Sequence, residues 1–248
     1  MKRFTCELNK FKKYFEGYQD NIPVIYSTLE GQYPGEIFLD DEEEIAVLVT
    51  KFDFLFLGGN IKSENAENII DNIIFDELVK KQQRKEIILF GQDEQWNTAI
   101  SKVFQNHNGV NDLRKCYKLN RKRFTEYSSD TISDIIQVTV RNERGNDSAV
   151  EYPVSRVYLD EVNVSFCSAF MLAKGYAELD IATEEAYRKK GYGKIAAVAL
   201  IKELLLRGIE PNWCTWPYRI ESQALAESIG FELDKEIPAH IWVEEFGF

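Results

Sequence analysis

Hydrophobic and polar positions follow two different periods along the chain, and the change from one period to the other marks its elements. From Tyr176 to Ala182 the pattern alternates, with Glu178 and Asp180 on one side of an extended segment, which predicts a half-buried strand. A polar connection and a glycine-containing turn follow. Apolar residues then recur at helical spacing until Gly208, which we expect to end the helix as its C′ residue.

The turn before this helix has the composition of an anion site. It reads RKKGYG from Arg188 to Gly193 and lies at a helix N-terminus, where unpaired N–H groups and the helix dipole favour negative charge. Gly191 and Gly193 would let a ligand approach the backbone, and a pyrophosphate would suit the site. Neither GxxxxGK[ST] nor GxGxxG is present at this turn. The basic residues of the turn and the first helical turn are Arg188, Lys189, Lys190 and Lys194.

The first half of the chain reads as a small α/β unit. An acidic turn from Asp40 to Glu44 joins two predicted strands, and the later segments alternate between helical and extended periods. The predicted strands are Gly35–Leu39, Ile45–Leu57, Glu86–Phe90 and Leu113–Phe124, and the predicted helices cover Ser63–Gln83 and the segment around Trp96–Phe104.

The second half is predicted to be a sheet flanked by helices. We place the domain boundary near Glu126–Ser133, with domains of residues 1–128 and 129–248. A Ser-Ser-Asp turn precedes a predicted helix, and Asp160-Glu161 forms a tight hairpin turn. The further predicted elements are a helix at Ile132–Val140, strands at Val154–Leu159, Val162–Met171, Asn212–Trp216 and Pro238–Val243, and a short helix ending in LAESIGF.

Composition excludes several classes of protein. The chain has 248 residues, 44% of them hydrophobic, and a net charge of −11, which argues against nucleic-acid binding. It has no apolar run of about 18 residues and no signal-peptide pattern at its N-terminus, so we expect a cytoplasmic protein, monomeric or homodimeric, without a membrane partner. The two histidines and four cysteines lack metal-ligand spacing, so no metal is expected and the cysteines are expected to be reduced.

The order of strand, RxxGxG turn, amphipathic helix, second strand and short helix resembles the coenzyme A core of the GNAT N-acyltransferase superfamily. Longer runs are similar to the subfamily that includes the zwittermicin-resistance acetyltransferase, whose members carry an extra N-terminal half of about this size. The runs that carry the resemblance are Ala177–Thr183, Tyr187–Gly193, Pro211–Trp216, Ser222 and Leu225–Phe231.

This resemblance implies a mixed α/β fold with a GNAT domain in the C-terminal half. The N-terminal α/β domain is either a degenerate GNAT-like copy or an unrelated cap. Acetyl-CoA is the implied cosubstrate, with its pantetheine arm along the motif strand, its pyrophosphate on the turn, and the N–H of Ile181 near the thioester oxygen. The residues implied to bind coenzyme are Ile181, Ala182, Thr183, Arg188, Lys189, Lys190, Gly191, Tyr192, Gly193, Lys194, Arg219 and Ser222.

Transfer to an amine needs a group that accepts a proton, because only the neutral amine has a lone pair. Glu178 and Asp180 are the best-placed carboxylates, either as base or as substrate ligand, although strand carboxylates also pair with cations. The helix position that often holds a tyrosine acid in GNAT enzymes is Ala226. Tyr187, Tyr192 and Tyr218 are its candidate substitutes.

We therefore expect an acetyl-CoA-dependent N-acetyltransferase that acts by direct transfer onto the primary amine of a small molecule. An amino-polyol antibiotic, an amino acid and a polyamine are all compatible acceptors. The alternative is a non-catalytic acyl-CoA-binding or sensing module with a GNAT-like core.

Overall fold

A computed structural model of the protein describes residues 1–62, 65–127 and 136–246. The chain folds into two compact units, residues 1–113 with 238–248 and residues 114–237. The predicted boundary between residues 128 and 129 lies outside the described residues. No helix in the described ranges has the length and apolar composition needed to cross a membrane.

The first unit is a sheet covered by helices. Its neighbouring strands run in the order β1-β2-β3-β4-β5-β12, antiparallel except for the parallel pair β4 and β5. The bounds are β1 Lys2–Phe4, β2 Gly35–Leu39, β3 Ile45–Thr50, β4 Phe54–Gly59, β5 Glu86–Phe90 and β12 Phe231–Val243, with α1 Ile22–Leu29, α2 Ala66–Asp71 and α3 Glu94–Asn106.

Every residue of β3 is buried, as expected for a strand covered on both faces. The single strand predicted over Ile45–Leu57 is wrong, because the chain turns at Lys51–Asp53 and Asp53 adopts a left-handed φ of 60°. The predicted helix over Ser63–Gln83 is confirmed from Ala66 onward, but it changes from α2 to a π-helix over Asn72–Lys81.

The second unit repeats the strand plan of the first. Strands β8, β9 and β10 form an antiparallel meander, β10 and β11 are parallel, and β11 pairs antiparallel with β6. The bounds are β6 Val110–Leu119, β7 Ile136–Glu143, β8 Tyr152–Leu159, β9 Val162–Ala173, β10 Tyr176–Thr183 and β11 Glu210–Thr215, with α4 Arg121–Tyr127, α5 Tyr192–Leu206 and α6 Ile220–Ile229.

Two predictions in the second unit are wrong. The strand expected to reach Phe124 ends at Leu119, and the chain continues as α4. The helix expected over Ile132–Val140 is the strand β7 from Ile136 onward, paired with β8, while residues 132–135 lie outside the described ranges. The hairpin turn at Asp160-Glu161 is confirmed, with left-handed φ angles of 47° and 67°.

The chain contributes strands to both units from distant parts of the sequence. β6 begins in the first unit and ends in the second, and β12 begins in the second and ends in the first. Each unit has its own apolar core. The first core is rich in aromatic side chains, among them Phe38, Phe75, Trp96, Phe104 and Trp242.

His240 in β12 is fully enclosed in the first unit, with Nδ1 2.8 Å from Asn111 Oδ1 and Nε2 3.2 Å from Asn97 Oδ1. Burial lowers the pKa of His240 to about 4, so the unfolded chain binds a proton between about pH 6.5 and 4 that the folded chain does not. We expect the free energy of unfolding to fall across this window as pH drops, by up to about 1.4 kcal/mol per pH unit. Urea titrations of the His240→Gln variant should lose this slope. His107→Gln is the control and should retain it.

Candidate active site

The RKKGYG turn and α5 form the predicted helix terminus. Gly191 is the N-cap residue with a left-handed φ of 87°, a conformation that favours glycine. The first helical hydrogen bond of α5 runs from Ile195 N to Gly191 O, 3.1 Å. The N–H groups of Tyr192 and Gly193 therefore precede the helical ladder and are available to an anion by position.

Gly193 brings the turn close to the end of β10. A Cβ atom at this position would lie 3.2 Å from Thr183 Oγ1 and 3.8 Å from Ile181 Cγ2, so a larger residue would push the helix terminus away from the strand. By contrast, a Cβ at Gly191 would meet nothing within 4 Å. The turn is packed against β10 on one side and open on the other.

The basic side chains of the turn are exposed. Arg188 Nε donates to Thr183 O at 3.2 Å, and Lys190 Nζ donates to Ala186 O at 3.1 Å. Within the described ranges no carboxylate forms an ion pair with Arg188, Lys189 or Lys190. The structure thus brings the predicted turn residues and the end of β10 together as one positively charged, donor-rich corner.

β10 and β11 diverge beside this corner. Their parallel pairing runs from Tyr176 to Glu178, opposite Glu210 to Asn212. Beyond that point β10 pairs with β9 through Thr183, and β11 pairs with β6. β10 is therefore not paired with β11 over Ile181, Ala182 and Thr183, the residues predicted to receive an extended ligand, and Arg188 contacts the last of their carbonyl groups.

Glu178 lies at the divergence point and is only 4% exposed. Arg114 Nη2 donates to its Oε1 at 3.0 Å, and Asn212 Nδ2 donates to its Oε2 at 2.9 Å. Burial raises the pKa of Glu178, while Arg114, Asn212 and the Cys214 thiol oppose that rise. These contacts are a buried ion pair and do not support the prediction of Glu178 as base or substrate ligand.

Asp180 has a different environment two residues further along β10. Asp180 is exposed to solvent, and the register between β9 and β10 shifts between Glu178 and Asp180. Partial burial raises the pKa of Asp180, and the Ile181 N–H group, which donates to the carboxylate, opposes the rise. The N–H of Ile181 is thus engaged by Asp180, which does not support the predicted contact with a thioester oxygen.

The remaining predicted residues lie on or beside α6. Arg219 is the N-cap residue, exposed, with its guanidinium 5.6 Å from the centre of the Tyr218 ring. Ser222 Oγ accepts from Trp213 Nε1 at 3.2 Å, and its O–H group can still donate. Ala226 is completely buried.

Two residues near the carboxylates were missed by the sequence analysis. Arg114 lies in the predicted strand Leu113–Phe124, and nothing in the local sequence marks it as the partner of Glu178. Tyr152, at the start of β8, has its pKa raised by burial and by the charges of Glu143 and Asp180, which keeps its hydroxyl protonated near Asp180. Only the strand register reveals either relationship.

Among the described residues of the first unit, the corresponding place between the parallel strands is filled. Its parallel pair β4 and β5 ends at Phe56 and Phe90, and there the buried Tyr18 hydroxyl lies 2.8 Å from both Leu57 O and Phe90 O. Tyr18 thus fills the place in the first unit that corresponds to the gap between β10 and β11 in the second unit. The candidate site therefore belongs to the second unit.

Comparison with protein families identifies related chains. A model of the GNAT acetyltransferase family matches residues 12–146 and 156–240. The protein named Uncharacterized N-acetyltransferase YdfB from Bacillus subtilis (strain 168) is 22% identical over 228 residues, which cover 84% of this chain and 85% of that protein.

Solved structures share the fold over nearly the whole chain. A GCN5-related N-acetyltransferase-like protein from Streptococcus suis 89/1591 has a TM-score of 0.66 at 22% identity, covering 95% of this chain and 98% of that one. A tandem GNAT protein from the clavulanic acid biosynthesis pathway has a TM-score of 0.62 at 8% identity, covering 90% and 87%. These similarities support a GNAT fold with two lobes.

Proposed function

Because the chain belongs to the GNAT acetyltransferase family, whose members use acetyl-CoA, we propose that its second unit transfers an acetyl group directly to the primary amine of a small molecule. The observation that carries the proposal is the stretch of β10 that β11 leaves unpaired beside the helix terminus capped by Gly191. Coenzyme A joins an extended pantetheine arm to a pyrophosphate, so it needs an unpaired stretch of strand next to a helix N-terminus.

The residues present fit coenzyme A. We assign the pantetheine arm to the backbone of Ile181–Thr183 and the pyrophosphate to the N–H groups of Tyr192 and Gly193. The exposed side chains of Arg188, Lys189 and Lys190 would neutralise its phosphates, and the exposed Arg219 is retained as a further proposed contact. Ser222 is retained as a proposed contact, since its oxygen accepts from Trp213 while its O–H group can still donate to the coenzyme.

The proposed reaction uses Asp180 as the proton acceptor. The neutral amine nitrogen attacks the thioester carbon, the carbon–sulfur bond breaks, and the thiolate of coenzyme A leaves with the electron pair. The proton released by the amine passes to the Asp180 carboxylate, whose raised pKa makes it a better base than an ordinary aspartate. Glu178 would stabilise the point where β10 and β11 diverge, through its contacts with Arg114 and Asn212.

The acceptor is proposed to be a small cationic amine, since the net charge of −11 attracts cations. An amino-polyol antibiotic, an amino acid and a polyamine meet this description equally. The rival function, an acyl-CoA sensor, is favoured by one observation, the enclosure of Glu178 in an ion pair. Turnover with any of these amines would exclude the sensor.

The Gly191→Glu variant tests the coenzyme site by calorimetry with acetyl-CoA. We expect the dissociation constant to rise at least about tenfold, because the new carboxylate stands where the pyrophosphate binds. Gly175→Glu is a matched control, since Gly175 has a similar φ of 82° and equally open surroundings at the β9–β10 turn. It adds the same charge and the same backbone strain at the other end of β10.

Equal weakening in both variants would attribute the effect to backbone strain, and unchanged binding in Gly191→Glu would place the coenzyme elsewhere. If the folded wild type does not bind acetyl-CoA at all, the enzyme and sensor functions both fail.

A further inference from the structure

Two cysteines face each other across neighbouring strands of the second unit. Cys214 in β11 is the direct antiparallel partner of Cys116 in β6, and their sulfur atoms are 3.0 Å apart. Cys116 is buried and Cys214 is partly exposed. Both thiols are free in this structure, and the pair has no part in the proposed transfer reaction.

The backbone geometry of the pair suits a disulfide. Direct partners in an antiparallel ladder have Cα atoms about 4.5 or 5.5 Å apart, and both values lie within the range of about 4.4–6.8 Å that disulfides span. The sulfur separation of 3.0 Å exceeds the S–S bond length of about 2.05 Å by about 1 Å. Small side-chain rotations would close this gap without moving either strand.

We infer that Cys116 and Cys214 form a thiol-oxidation site that closes to an intramolecular disulfide in the presence of a peroxide. One thiolate attacks an oxygen of hydrogen peroxide, the O–O bond breaks, and a sulfenic acid and hydroxide form. The second sulfur then displaces the sulfenic oxygen, which leaves as water. In total two thiols lose two protons and two electrons, and one peroxide is reduced to two waters.

Oxidation would remove a hydrogen bond to Glu178, at the point where β10 and β11 diverge. The Cys214 thiol opposes the rise in the pKa of Glu178 by hydrogen bonding to it, and a disulfide sulfur has no proton to donate. The hydrogen bond with Cys116, burial and the Glu178 charge raise the pKa of the Cys214 thiol well above its usual value. Thiolate is therefore scarce at neutral pH, and closure is slower than oxidation of an exposed thiol.

The test uses the full chain with Cys6→Ser, which removes the exposed cysteine and with it disulfides between molecules. After peroxide treatment, the intact mass should fall by two hydrogens. Alkylation in denaturant should then label one thiol, that of Cys167, instead of three, and dithiothreitol should restore all three. Peptide mapping should link Cys116 to Cys214.

Cys116→Ala in the same background is the control, and its mass should not fall. Three reactive thiols after treatment of the parent, oxygen addition without loss of hydrogen, or a link that includes Cys167 would each overturn the inference. This mass measurement is independent of catalysis, so it stands even if acetyl-CoA is not a substrate.

Turnover measured in parallel tests the link to Glu178. We expect it to fall by about fivefold on oxidation, the effect of one lost hydrogen bond, and to recover on reduction. A disulfide that forms without changing turnover would overturn that link and leave the oxidation site in place.

Discussion

Replacing Asp180 by asparagine should lower kcat by about 10²- to 10⁴-fold, the range expected when a general base is removed. The amide keeps the shape and the hydrogen-bonding ability of the side chain, but it cannot accept a proton. Acetyl-CoA affinity measured by calorimetry should stay near the wild-type value, because the assigned coenzyme contacts come from the strand backbone and the RKKGYG turn. Steady-state kinetics with a saturating amine give the comparison.

The pH profile separates a base from a merely structural aspartate. A base works only when ionised, so the wild-type rate should fall as pH drops through the raised pKa of Asp180. Asp180→Asn should lose this acidic limb. Asp160→Asn, at the β8–β9 turn, is the control and should retain both the rate and the limb. If Asp180→Asn kept the wild-type kcat, the amine would be losing its proton to solvent, and the proposed mechanism would be wrong.

The segment from Tyr176 to Gly208 could be predicted from the sequence because its signals are local. Alternation marks β10, the glycine turn marks the helix terminus, and Gly208 ends α5 with a left-handed φ of 71°. Each of these features depends on neighbours within a few residues. The structure confirms all three, and the first two define the corner assigned to the coenzyme.

Errors arose where a local pattern fits two structures. The apolar run from Ile45 to Leu57 contains two strands, and only Asp53 interrupts it with a left-handed turn. The segment Ile136–Val140 alternates between apolar and polar residues, but the helix predicted from Ile132 extends over it, and its pairing with β8 makes it a strand. Tertiary pairing outweighs local preference in such segments.

The neighbours of the carboxylates depend on register and could not be predicted. Glu178 and Asp180 are equivalent by sequence alternation, yet Arg114, 64 residues away, encloses one of them and leaves the other accessible. The pairing of Cys116 with Cys214 likewise depends on β6 joining the sheet next to β11. Sequence spacing contains no information about either juxtaposition.

Replacing Arg114 by methionine should lower the free energy of unfolding of the second unit by about 3–5 kcal/mol at neutral pH. Methionine fills much of the space of the arginine stem, so the loss comes mainly from the Glu178 carboxylate, which remains buried without its cation. Urea unfolding followed by tryptophan fluorescence measures the change, since Trp213 lies in the core of this unit.

The double variant Arg114→Met with Glu178→Gln is the control, because it removes both charges and keeps the amide as a partner for Asn212. It should recover much of the lost stability, so that the two substitutions are strongly non-additive.

The stability deficit of the single variant Arg114→Met should also depend on pH. Without Arg114 the folded-state pKa of Glu178 rises further above its unfolded value, so the folded chain holds a proton that the unfolded chain releases. Stability is then lost as pH rises from the unfolded pKa towards the folded one, and the deficit should shrink in acid. A single variant with no deficit at neutral pH would mean that Glu178 is already protonated in the wild type, so that the cationic Arg114 guanidinium donates to a neutral carboxyl group and no ion pair exists.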